Sequence, residues 1–231
     1  MGFCYWVIPT WIKPAVAAFL LVVGVTPLLA SIPSAISGAE CPVYVVEKAS
    51  LGGVSGIDLR RYETFPVAQM VTSGRSARER MQTAFGKLTG YVTSMNKDPE
   101  TGRKVNLGIS GFLMVSKDGP GKPFVASLAL PQKEFRKVYP TPIDPAISVK
   151  TMPSTLYAGT TLQGGMPEDS VLEELVDAVQ DATEAEGLRI KAAVVICQVM
   201  GEFKTEVLLP VEISSGSAAN VVDVQVSSDS S

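Results

Sequence analysis

Three cysteines, at positions 4, 41 and 197, are the only thiols in a 231-residue chain that contains no histidine. Without imidazole there is no Ser-His-Asp or Cys-His relay, no histidine general base near neutral pH and no histidine ligand for a metal. Carboxylate pairs do not fill the gap. Asp58 and Glu63 lie five residues apart on a strand-like run, which sends them to opposite faces. No nucleophile setting is recognisable, so the residues describe a binding protein rather than an enzyme. The basic residues are scattered and the formal net charge is −3, which argues against a nucleic-acid partner.

The charges that do cluster separate by segment. Arg75, Arg78, Glu79, Arg80 and Lys87 sum to +3 around a first helical stripe. A second stripe carries Glu168, Asp169, Glu173, Glu174, Asp177, Asp181, Glu184 and Glu186, a sum of −8 with no base among them. A dianionic ligand is drawn to the first and repelled by the second.

The elements that must position these groups follow from periodicity. Residues 1–39 hold one charge, Lys13, then an unbroken small and apolar run from Ala15 to Val25, Pro27, and a small-residue exit at Ser37-Gly38-Ala39. That is the order of a secretory signal cleaved before Glu40, and it places the mature chain outside the cell or in a secretory lumen. The run is short for a spanning helix, and an uncleaved membrane anchor is the rival reading. Cys4 leaves with the signal. Cys41 and Cys197 could then pair as a secreted chain allows, or stay separate thiols with Cys197 filling core space.

Beyond residue 40, Val43–Val46, Ile57–Tyr62 and Pro66–Thr72 read as strands. A helix is expected from Ser76, capped with Glu79, along the stripe Met81, Ala84, Phe85, Leu88, Val92, Met95. Val105, Leu107 and Ile109 alternate as a strand, and Phe124–Leu130 forms its hairpin partner across Gly119-Pro120-Gly121. A proline-punctuated connection (131–145) leads to strands at Val149–Thr151 and Leu156–Leu162. A second helix over 168–186 opens at Pro167 and ends at Gly187, and a last hairpin covers Ile190–Val199 and Thr205–Glu212. The Ser-rich remainder, 213–231, reads as a disordered tail. The fold class is α+β. Two successive β-α-β-β halves, each too small to bury its own sheet face, combine into one distorted antiparallel β-barrel with two helices packed against it.

Several of these segments resemble one family. Glu40-Cys41-Pro42-Val43-Tyr44-Val45-Val46 followed by Ile57-Asp58-Leu59-Arg60-Arg61-Tyr62 is similar to the opening P-x-Y-x-V and Y-E-I-R-x-Y of SOUL/haem-binding proteins. Phe85–Val92 resembles their first helix. Ser127–Pro131, Pro140–Pro145, Pro153–Ala158 and Glu206–Val211 resemble their later segments in the same order, so the resemblance spans residues 40–212. Two stretches depart from it. Leu107–Gly111 stands where the family has M-T-x-P-V, and Gly201–Lys204 is a tight turn where it has a long Pro- and aromatic-rich loop.

The resemblance implies binding of haem or another tetrapyrrole in an apolar groove along the first helix, with cations meeting the propionates. On this chain Met81, Phe85 and Leu88 would line the slot, Arg78 and Lys87 would meet the carboxylates, and Tyr91 would stack or hydrogen-bond at the far end. Histidine ligation of iron does not transfer. Tyr91 and Met81 lie on the right helix to ligate iron instead, but core or surface roles suit them better. The same stripe would serve as plain core and the same cations as a solvated face. Another amphipathic small molecule, or a ligand-free interaction role through the acidic second helix, are the alternatives.

Overall fold

The computed structural model describes residues 41–131, 138–191, 193–200 and 202–212. The expected signal, its cleavage point and the expected tail lie outside them. Twelve strands and two long helices follow in the order β1 (Tyr44–Lys48), β2 (Ile57–Tyr62), β3 (Phe65–Thr72), α1 (Ala77–Thr93), β4 (Asn96–Lys97), β5 (Phe112–Lys117), β6 (Phe124–Ala129), β7 (Thr141–Pro142), β8 (Ser148–Met152), β9 (Thr155–Gln163), α2 (Asp169–Ala185), β10 (Arg189–Ile190), β11 (Val194–Val199) and β12 (Lys204–Glu212). Nine of the strands form one curled antiparallel sheet, a half-barrel, in the order β1-β2-β9-β12-β11-β5-β6-β3-β8; β10 adds to β12, and β4 pairs β7 apart from it. No helix among the described residues is long and apolar enough to cross a membrane.

The two β-α-β-β halves are real, but they are interlocked. β3, β6 and β5 lie side by side, as do β9, β12 and β11. The strand that opens each half is lent to the other: β2 pairs β9 from Ile57↔Thr160 to Tyr62↔Thr155, and β8 pairs β3 from Phe65↔Met152 to Gln69↔Ser148. β11 against β5 joins the two sets at the centre.

Period-two alternation gives the sheet two apolar faces. One takes Ala68, Met70, Leu113, Val115, Ala126 and Leu128 and is covered by α1, whose Met81, Ala84, Leu88, Tyr91 and Val92 are buried against it. α2 lays Val179 and Ala182 over Leu156, Ala158 and Leu209 on the same side. The other face lines the inside of the curl with Tyr62, Phe65, Phe112, Tyr157, Cys197 and Leu208. Tyr62 stands edge-on to Tyr157 with ring centroids 5.6 Å apart and lies 6.0 Å from Phe112, so its ring touches strands on both sides of the curl. The curl is tight at Gly159, where an added Cβ would lie 2.4 Å from Leu208 Cδ2.

The expected strand at Val105–Ile109 is not one. Residues 102–110 have no ladder partner. They run as a strap beside the end of α1. Leu107 N donates to Val92 O at 2.7 Å, and the Asn96 side chain brackets Val105, accepting its N–H at 3.0 Å and donating to its carbonyl at 2.8 Å. Gly108, at φ 74°, breaks the extended run, and the true strand begins at Phe112.

Candidate functional site

The head of α1 is fixed by local sequence and by the other half of the chain. Ser76 Oγ accepts Glu79 N at 3.1 Å and Glu79 Oε2 accepts Arg75 N at 2.7 Å, a reciprocal cap. From α2, Asp169 Oδ1 accepts Ala77 N at 3.0 Å, and Arg78 Nη2 donates to Met166 O at 2.6 Å. The carboxylate therefore satisfies an orphan donor at the positive end of α1 while sitting at the start of α2.

Beside this fixed head a groove of about 350 Å³ opens between α1 and the sheet. Its walls are Ala77 and Arg80 of α1, Val115–Lys117 at the end of β5, Gly119, Pro120, Phe124 at the start of β6, and Val194 and Ile196 of β11. The lining is mostly apolar, with two cations. The Arg80 guanidinium lies 3.9 Å from the Phe124 ring centroid and Lys117 Nζ 5.1 Å from it, contacts worth about 0.5–1 kcal/mol each where solvated. Arg80 Nη1 donates to Gly74 O at 3.0 Å, whereas the buried Arg80 Nε has no hydrogen-bond partner among the described residues. An apolar wall with cations at its edge suits a flat apolar ligand bearing carboxylates.

The residues anticipated from the helix are divided by this geometry. Met81, Leu88 and Tyr91 are buried beneath α1 in the core, and Phe85 is half-buried against the same cluster. Arg78 and Lys87 are exposed, Arg78 being tied to Met166. Tyr91 Oη donates to Pro140 O at 2.8 Å, and burial pushes its phenol well above the usual range. The groove opens one turn closer to the start of the helix than Phe85. Of its cations, only Arg80 carried a signal in the sequence, as part of the charge sum. Lys117 and Phe124 come from a hairpin whose register decides that they meet α1.

A second polar constellation sits inside the curl. Arg60 and Glu206 are almost fully buried, with Arg60 Nη1 3.2 Å from Glu206 Oε1. Tyr62 Oη donates to Glu206 Oε2 at 2.6 Å, and Lys204 Nζ is 3.4 Å from Oε1. Arg60 Nε donates to Asp58 Oδ1 at 2.5 Å and Nη2 to Thr161 Oγ1 at 3.0 Å. The Arg60–Glu206 pair is close but not aligned as a hydrogen bond, since both atoms lack a hydrogen-bond partner among the described residues. Burial alone would lower the Arg60 pKa; Asp58 and Glu206 outweigh it and leave it raised. Arg60 and Lys204 face Asp58 and Glu206, and Lys204 Nζ also lies 2.6 Å from Glu202, so this is an internal ion-pair clasp joining β2, β9 and β12. No cluster with metal-binding composition is present among the described residues. Cys197, one of the pair considered for a bridge, is buried in this inner face, and Cys41 packs against the same cluster.

Residues 39–199 match a protein family described as SOUL heme-binding protein. No curated protein matches the chain. Among solved structures, a transcription-regulation protein from Staphylococcus aureus MU50 is 13% identical, with a TM-score of 0.38 over 68% of this chain and 98% of its own. A hydrolase from Listeria innocua is 12% identical, with a TM-score of 0.47 over 73% of this chain and 94% of its own. The EcmrR C-terminal domain is 13% identical, with a TM-score of 0.43 over 68% of this chain and 98% of its own.

Proposed function

Because the chain belongs to the SOUL heme-binding protein family, we propose that it binds haem or a related tetrapyrrole beside α1, by apolar contact and cations at the rim, without histidine ligation. Family membership carries the reading; the groove supports it. Arg80 and Lys117 offer two positive charges to a dicarboxylate, and Phe124, Val115 and Ile196 offer the apolar wall. At about 350 Å³ the groove sits at the small end of ligand pockets, roughly 300–1,000 Å³. The macrocycle would enter it by one edge and leave the rest toward solvent. The chain has no histidine to hold iron, and on this reading affinity comes from contact and charge. Binding, not catalysis, is the role this assigns.

Titration of the purified protein with haemin and with metal-free protoporphyrin, followed by absorbance and by porphyrin fluorescence, tests the reading. Saturable one-to-one binding of both is expected. Absence of binding to either overturns it. The Ala15–Val25 run and its small-residue exit further support synthesis into the secretory pathway with cleavage before Glu40. N-terminal sequencing of the protein made in a secreting eukaryotic host checks this, and a chain still starting at Met1 would favour the anchor.

A further inference from the structure

The side-chain carbonyl carbon of an aspartate or asparagine lies within reach of the next residue's amide nitrogen, and the two can close a five-membered ring. A fold suppresses this where the side chain is held, where the next amide is spent, or where a following side chain obstructs the approach. Most such positions among the described residues are suppressed. Arg60 holds Asp58. Asn96 is buried and bonds Tyr91 and Val105. Asp98 Oδ1 accepts Glu100 N and Thr101 N, and Pro99 has no N–H to attack with. Asn106 Oδ1 accepts Gly108 N while Leu107 N donates to Val92 O. Asp144 Oδ1 accepts Ala146 N, again ahead of a proline, Pro145. On α2, Asp169 holds Ala77 N, and Asp177 and Asp181 lie where the following amide belongs to the helix ladder.

Asp118 is the exception. It is exposed at the tip of the β5–β6 hairpin, just past the last ladder pair, Lys117↔Phe124. Its carboxylate has no hydrogen-bond or ion-pair partner among the described residues. The next residue is Gly119, which has no side chain to obstruct the approach. Its φ of 92° keeps it out of the strand, and its N–H makes no hydrogen bond among the described residues, although its carbonyl accepts Lys122 N at 3.4 Å.

We propose that Asp118–Gly119 is a site of spontaneous backbone isomerisation in the folded protein, converting Asp118 to isoaspartate. The Gly119 nitrogen attacks Cγ of the protonated Asp118 carboxyl. The new N–C bond forms, the N–H proton passes to solvent and the Cγ hydroxyl leaves as water, giving a succinimide. Water then adds to one of the two ring carbonyls. Opening at Cγ restores aspartate. Opening at the main-chain carbonyl leaves the Gly119 nitrogen bonded to Cγ, which is the isoaspartyl linkage. One water is lost and one regained, and nothing is oxidised or reduced. The main chain gains one carbon, and the former main-chain carbonyl becomes a free carboxylate. Gly119 and Pro120 form part of the groove wall, so the change reshapes that wall whatever the groove holds.

The test keeps the full chain warm for several weeks in mildly acidic heavy-oxygen water, with circular dichroism confirming that it stays folded. Each ring opening leaves one heavy oxygen in the product. Tryptic peptides are then mapped by mass spectrometry. Label is expected in the peptide containing Asp118, in aspartyl and isoaspartyl forms that separate on chromatography, and an isoaspartyl methyltransferase should methylate only the second. Asp118→Glu should carry no label there, because the six-membered ring closes far more slowly. Gly119→Ala should slow labelling about tenfold, ~1.4 kcal/mol on the barrier. No label at Asp118, or equal label at Asp98 or Asn106, overturns the proposal. Neither outcome depends on tetrapyrrole binding, so the two readings stand or fall apart.

Discussion

The guanidinium carbon of Arg80 lies 3.9 Å from the centre of the Phe124 ring, which brings a cation of the first helix and an aromatic of the β5–β6 hairpin together at one wall of the groove. If this contact marks the rim of the ligand site, Arg80→Glu with Lys117→Glu should weaken haemin and protoporphyrin about tenfold or more at low salt. The loss should shrink at high salt, where rim charges are screened. Arg78→Glu with Lys87→Glu, the pair suggested by the helix alone, should act less. Titrations of both double variants at two ionic strengths decide which cations meet the ligand.

Metal-free protoporphyrin should bind within about tenfold of haemin, a gap of roughly 1.4 kcal/mol. Tyr91→Phe should leave that ratio unchanged, because its hydroxyl is committed to the Pro140 carbonyl. A haemin affinity far above that of protoporphyrin, abolished by Tyr91→Phe or Met81→Leu alone, would establish an axial ligand and defeat the contact-only account.

Arg60→Met should destabilise the fold by about 3–5 kcal/mol, since it leaves the buried Glu206 carboxylate beside a single lysine. Arg60→Met combined with Glu206→Leu should cost clearly less than the two single changes added together. Urea unfolding of the three variants gives the coupling energy. Simple additivity would show that the clasp is not a unit.

Stability should fall as pH rises above about 10. Burial, with Cys197 next among the causes, pushes the Tyr157 phenol up to about 12, and burial likewise raises Tyr62 above its ordinary value. A group whose folded pKa exceeds its unfolded one contributes its full stability below the unfolded value and loses it as pH climbs toward the folded value. Urea midpoints measured from pH 9 to 12, with the tyrosinate absorbance followed in parallel, check this. Full ionisation of all tyrosines in a still-folded chain near pH 10 would contradict it.

Most of the architecture could be read from residue patterns because each signal is local. Ser76 with Glu79 marked the start of α1, Gly187 the end of α2, alternation along Ile57–Tyr62 marked one strand, and the run Leu156–Leu162 marked another within a residue or two. Val105–Ile109 misled for a physical reason. A strap that alternates between core and solvent carries the same period as a strand, and only the backbone donors of Leu107 and Val105, spent on Val92 and Asn96, reveal the difference. The groove was less legible than the helix beside it. Stripe residues such as Leu88 announce burial but not what buries them, and Lys117 reaches Phe124 through a hairpin whose register no single segment encodes. Glu206 reads as one polar residue in an apolar strand until Arg60 and Tyr62 arrive from well over a hundred residues away.

The lending of β2 to β9 and of β8 to β3 also governs how the protein can be made. As the chain leaves the ribosome, β2 has β1 on one side but must wait for roughly a hundred more residues before its second ladder partner, β9, exists, and until β8 follows β3 has no strand on its outer side. The early half is thus released with open edges and a half-covered apolar face, a species prone to wrong pairings. Assembly becomes all-or-none, and slow for a chain of this size because its contacts join distant residues. Two separately expressed fragments, divided in the connection between β6 and β7, should each fail to fold alone yet restore one another on mixing.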